Sequence, residues 1–150
     1  MNILVCDDDQ AIVDAIEIYL SQEGYTVLKA YDGLEAIRMV KEKEIQLVIL
    51  DIMMPRMDGI RATMKIREIS AVPIIFLSAK SEDVDKILGL NVGADDYITK
   101  PFNPLELNAR VKSVLRRYTQ LGAIAEKKDT VFQIGGLRVD DDRKEVTVDG

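Results

Sequence analysis

Histidine is absent from this 150-residue chain, and cysteine occurs once. The first absence removes every Ser-His-Asp and Cys-His mechanism and every imidazole metal site. The second excludes an internal disulfide, and Cys6 reads as a small buried hydrophobe of an intracellular protein. A basic surplus is missing too. Acidic residues outnumber Lys and Arg by 26 to 20, giving a formal net charge of −6. That is a poor basis for gripping nucleic acid through its phosphates. No apolar run approaches the roughly 18 residues that span a bilayer. Met1 leads straight into a strand-like run, with no basic n-region and no long apolar h-region. The expectation is a cytoplasmic protein without membrane contact.

What is present is enough for a real core. The chain is 47% hydrophobic and 31% charged, which argues against disorder and for one domain of ordinary size with a short appendage. Short β-branched runs recur at residues 3–6, 26–30, 47–50, 73–77 and 96–99. Segments of helical period separate them, at about residues 10–23, 34–43, 59–68, 83–92 and 104–118. Asp9 is a candidate N-cap of the first helix and Gly24 a candidate terminator. Strict alternation with nearly continuous apolar strands predicts a doubly wound α/β fold, a parallel sheet covered on both faces. Beyond residue 118 the period fades. Residues 119–130 read as a linker, and residues 131–150 as short strands at the front edge of a second domain that is cut short.

Chemistry gathers at the strand ends. The first strand ends in Asp7, Asp8 and Asp9, the third in Asp51, the fourth in Ser78 and the fifth in Thr99 and Lys100. In an open parallel sheet the site lies beyond these carboxyl ends. Two unit charges ~4 Å apart repel by about 4 kcal/mol at an effective dielectric of 20. Asp7, Asp8 and Asp51 therefore need counter-charge. Lys100 supplies one, and an all-oxygen donor set without His or paired Cys suits Mg²⁺ for the remainder.

The stretches LVCDDD, LVILDIMMPRMDG, IIFLSA and ADDYITKPF resemble, in order and spacing, the receiver domain of bacterial two-component response regulators, over roughly residues 2–118. The resemblance implies a five-stranded sheet of order 2-1-3-4-5. It implies that Asp51 is the phosphoacceptor and that Asp8, Asp51 and the carbonyl of Met53 ligate Mg²⁺, with Asp7 acting mainly through water. Lys100 and Ser78 would then hold the phosphoryl group, and small Ala79 would leave the pocket open. Tyr97 would be the aromatic that turns inward on activation, and Lys100-Pro101 would be a cis peptide.

Glu106 and Arg110 form an ordinary i, i+4 helix pair by default. The resemblance offers another use: Lys86 with Glu106, and Asp96 with Arg110, match positions through which OmpR/PhoB-type receivers pair across a two-fold axis. The implied function is a switch rather than an enzyme. A sensor histidine kinase phosphorylates it, it forms a homodimer, and the full-length protein acts on promoter DNA through a winged-helix output domain. Residues 131–150 resemble the start of that domain. Two alternatives remain: a Mg²⁺-dependent aspartyl-phosphate phosphatase, and a pseudo-receiver that only binds partners. The phosphatase wants a second acid where Met53 stands, and the intact acidic set argues against the pseudo-receiver.

Overall fold

A computed structural model describes the backbone of residues 1–79 and 93–131, with side chains through residue 119. The expected helix at 83–92, Lys86 and the strands expected beyond Val131 lie outside the described residues. The strands are β1 (Asn2–Cys6), β2 (Thr26–Ala30), β3 (Leu47–Asp51), β4 (Ile74–Ala79) and β5 (Asp96–Lys100). The described helices are α1 (Gln10–Ser21), α2 (Gly33–Glu42), α3 (Gly59–Arg67) and α4 (Pro104–Val131). The chain divides into two units, Met1–Lys112 and Ser113–Gly150, and all that follows on the site concerns the first.

All strand pairs are parallel, and the order is β2-β1-β3-β4-β5. Strand order therefore reverses between β1 and β3, which is where an open α/β sheet places a crevice. Leu4 and Cys6, Val48 and Leu50, and Ile74 and Phe76 form one buried layer, with Ala36 of α2 and Ala62 and Ile66 of α3 packed on it. The alternate residues Ile3, Val5, Ile49, Ile75 and Leu77 point to the opposite face and are equally buried. Burial on both faces explains why these strands read as unbroken apolar runs rather than alternating ones.

The helices start on side chains that satisfy their free amides. Asp9, Asp32 and Asp58 each accept from the first turn of α1, α2 and α3, at 3.0, 2.8 and 2.8 Å. Gly24 follows α1 at φ +91°, the left-handed conformation expected of it. The stretch expected as a linker has helical backbone, and α4 runs through it to Val131. It lacks a regular apolar stripe, but Leu, Ala, Gln, Glu and Lys make up more than half of it and no proline interrupts it, which is compatible with helix. β4 also continues one residue past Ser78, to Ala79.

Candidate functional site

Asp51 is the last residue of β3, a strand whose five residues are all buried. Burying Leu47, Val48, Ile49 and Leu50 is worth roughly 6–12 kcal/mol. That margin can carry one desolvated carboxylate at the tip. Gly59 packs directly behind it: a Cβ there would lie 2.3 Å from the Asp51 carbonyl oxygen, so only glycine lets α3 start this close to the strand end. The Gly59 amide donates to Ile52 O at 2.8 Å, and the Ile52 amide to Leu77 O at 3.1 Å. The base of Asp51 is thereby held on two sides.

Asp7 is fully buried and Asp51 4% exposed, and Lys100 reaches both. Its Nζ lies 2.9 Å from Asp7 Oδ2 and 3.3 Å from Asp51 Oδ1. Asp8 is exposed, yet one carboxylate oxygen from each of Asp7, Asp8 and Asp51 falls within 4.8 Å of the other two. Asp7 Oδ1 also accepts from the Asp9 amide at 3.0 Å, which ties the start of α1 into the cluster. Three carboxylates and one ammonium leave a negative surplus, and every donor is a hard oxygen. The residues fit a small divalent cation.

Burial and this surplus act together on Asp51. Burial, and then the charge of Asp7, push the Asp51 carboxyl up to about 7, against the opposing pull of Lys100. Burial works against the Lys100 ammonium, but its hydrogen bond to Asp7 and the charge of Asp51 prevail and raise its pKa. Ser78 is 1% exposed, and among the described residues its Oγ has no hydrogen-bond partner. An orphaned buried hydroxyl costs about 1–3 kcal/mol, so one at the end of β4, beside the acid cluster, points to an oxygen-rich ligand. Ser78 and Ala79 pair in register with Thr99 and Lys100.

Tyr97 is half-buried against the layer that α2 and α3 cover. The Lys100-Pro101 peptide is cis, as the resemblance implied. Asp96 and Arg110 meet within one chain, through two contacts of 3.0 and 3.1 Å from Arg110 Nη1, and Arg110 Nε also lies 3.3 Å from Glu106. Cys6 is fully buried, with Sγ 3.3 Å from Asp32 O and 3.6 Å from Met54 Sδ. Burial, then nearby Asp32, raises its pKa, so it stays a thiol and a packing residue.

Aligned strand ends thus bring an acidic triad and a bridging lysine together. The profile of the response regulator receiver domain matches residues 3–112. The chain belongs to that family. Among curated relatives, the regulatory protein VanR of Enterococcus faecium is 49% identical over 136 residues, covering 91% of this chain and 59% of that protein. The uncharacterized transcriptional regulatory protein YrkP of Bacillus subtilis is 50% identical over 146 residues, covering 97% and 62%. This receiver chain thus spans about three-fifths of the length of those relatives. Among solved structures, the receiver domain of Francisella response regulator 1452 superposes with TM-score 0.73 at 36% identity, covering 78% of this chain and 98% of that one. A CheY-like receiver protein from Methanospirillum hungatei gives TM-score 0.76 at 31% identity, covering 79% and 96%.

One feature of the receiver pocket escaped the sequence reading. Arg56, five residues past Asp51, stands at φ +68° and forms an ion pair with Asp32. The two are 24 residues apart, and neither sits in an apolar pattern that would mark it.

Proposed function

We propose that Asp51 accepts a phosphoryl group from the phosphohistidine of a sensor kinase, and that the resulting change of shape controls transcription through a DNA-binding domain outside the described residues. The observation that carries this is the strand-tip setting of Asp51: buried, 3.3 Å from Lys100, and near a Ser78 hydroxyl that has no partner among the described residues. A carboxylate oxygen of Asp51 forms the new bond to phosphorus while the phosphorus–nitrogen bond of the donor breaks, and the donor nitrogen keeps the electron pair. Such a transfer calls for alignment and charge neutralisation rather than acid–base help. Lys100 offsets charge on the phosphoryl oxygens, and Ser78 donates to one of them. Asp8, Asp51 and the Met53 carbonyl would hold Mg²⁺, with Asp7 acting through water. The ion would supply further charge neutralisation at the phosphoryl oxygens.

Phosphorylation then favours a homodimer. Ser78 moves toward the phosphoryl oxygen, and Tyr97 turns into the space it leaves. Asp96, Glu106 and Arg110, with Lys86, form the contact. The boundaries that accompany this reading are a receiver over 1–118, a connector over 119–130 and an output domain beginning at 131. Kinase and promoter DNA are partners of the full-length protein, which works in the cytoplasm.

The bond chemistry provides the test. An adduct formed with acetyl phosphate and Mg²⁺ should be released by neutral hydroxylamine, which cleaves an acyl phosphate. An adduct that survives would be a phosphoester, and would move the acceptor from Asp51 to a hydroxyl such as Ser78.

A further inference from the structure

The loop between Asp51 and α3 carries an unusual residue. Arg56 has φ +68°, a region that side chains other than glycine enter at a cost. The Met57 amide donates to Pro55 O at 2.7 Å across it, so Arg56 is the middle residue of a tight positive-φ γ-turn, a rare and strained type. Glycine would make that turn without penalty. A positively charged side chain occupies it instead, and it reaches the β2–α2 junction to pair with Asp32.

Asp32 is no casual partner. It caps α2 by accepting from the Glu35 amide at 2.8 Å, and it is only 16% exposed, so it offers Arg56 a fixed anchor. Two further contacts join the same pair of segments. A Cβ on Gly33 would lie 2.9 Å from Met57 O, so α2 begins against the loop backbone. Beneath them, Cys6 Sγ contacts both Asp32 O and Met54 Sδ. Met53 lies between the buried Met54 and the strand tip, and the residue is 61% exposed. Its own side chain is therefore poorly placed to fix its backbone.

We infer that Arg56 is a positioning residue for the cation site: its clamp on Asp32 holds the loop so that the Met53 carbonyl is set for the ion before the ion arrives. The inference rests on the proposed function, because Met53 matters only if Asp51 and Asp8 bind a cation. Preorganised partners beyond the ligands typically govern affinity about 10- to 100-fold. The strained turn is the structural counterpart of that gain.

Arg56→Gly separates this role from a merely structural one. It relieves the positive φ and removes the clamp, so stability and cation affinity should move in different directions. The experiment titrates the full chain with MgCl₂ alone and reads the melting temperature, which reports affinity through the native-state binding it stabilises. The expected result is a metal-free melting temperature no lower than wild type, with Mg²⁺ affinity weakened roughly three- to fivefold, the share an exposed ion pair can supply. Arg56→Lys, which keeps the charge, should recover most of the loss. A glycine variant that binds Mg²⁺ as tightly as wild type overturns the inference. So does one whose affinity and metal-free stability fall together, since that is loss of structure. Wild type that shows no response to Mg²⁺ overturns the metal reading itself and this inference with it, whereas a responsive wild type with an unaffected glycine variant overturns the clamp alone.

Discussion

The buried setting of Asp51 costs stability, and pH exposes the cost. Its carboxyl is raised from an ordinary 3.8 to about 7 by burial and by Asp7. The folded state therefore binds more protons than the unfolded chain between those values, and stability falls as pH rises through them. With divalent cations chelated, the receiver should lose on the order of 2 kcal/mol from this group between pH 4 and pH 7, since each pH unit of such a shift is worth about 1.4 kcal/mol at most. Asp32 works in the opposite sense. The Glu35 amide lowers its pKa, so its contribution is lost as pH falls. The comparison with Asp51→Asn isolates the first effect: denaturant melts at several pH values should show the slope in wild type and not in the variant. Ser78 gives a second test at this scale. Its hydroxyl lacks a partner among the described residues, so Ser78→Ala should leave the unphosphorylated protein as stable or up to about 1 kcal/mol more stable. The same change should shorten the phosphoryl lifetime, read by loss of the adduct with time. Equal destabilisation of both states would assign Ser78 to packing.

Helix starts and strand ends set the precision of the pocket. Gly59 is the sharpest case, with Asp51 O 2.3 Å from where a Cβ would stand. Gly59→Ala should push α3 off the tip of β3 and cost about 2–4 kcal/mol, within the range for overpacked sites. It should also depress phosphoryl uptake more than its stability effect explains. Asp58→Ala removes only the α3 cap, costs about 1 kcal/mol, and should leave uptake nearly intact. These elements also show what a sequence can reveal. Asp51 was legible because a buried parallel strand leaves an unmistakable apolar run, and the acid stands where that run stops. Caps were legible at Asp9 because the side chain that satisfies the helix is itself the signal. The Arg56–Asp32 pair was not, since a γ-turn has no periodicity and its anchor is 24 residues distant. Arg67 escaped for the same reason: it donates to Val72 O at 2.6 Å and Gly93 O at 2.8 Å, a backbone contact that no residue pattern announces. The helical stretch up to Val131 was missed because it carries propensity without an apolar stripe.

At the scale of the whole molecule, the parallel sheet delivers Asp7, Asp51, Ser78 and Lys100 to one edge. Arg110 is bound within its own chain to Asp96 and Glu106, and its side chain is 38% exposed. Partly exposed ion pairs of this kind are worth little, ~0–1 kcal/mol each at the surface, so a proposed dimer that exchanged them between two chains would form at small net cost. Sedimentation should accordingly show a weak, salt-sensitive dimer that strengthens with beryllofluoride and is lost on charge reversal at Arg110. Identical monomer fractions with and without the phosphoryl mimic would move signalling to another face. The central claim is that one carboxylate, mounted on an apolar strand, takes the phosphoryl group. Intact mass after acetyl phosphate and Mg²⁺ tests it most directly, comparing wild type with Asp51→Asn. Wild type should gain a single adduct of about 80 Da, one phosphoryl on an acyl oxygen, and the variant none. A full adduct that persists in Asp51→Asn would contradict it.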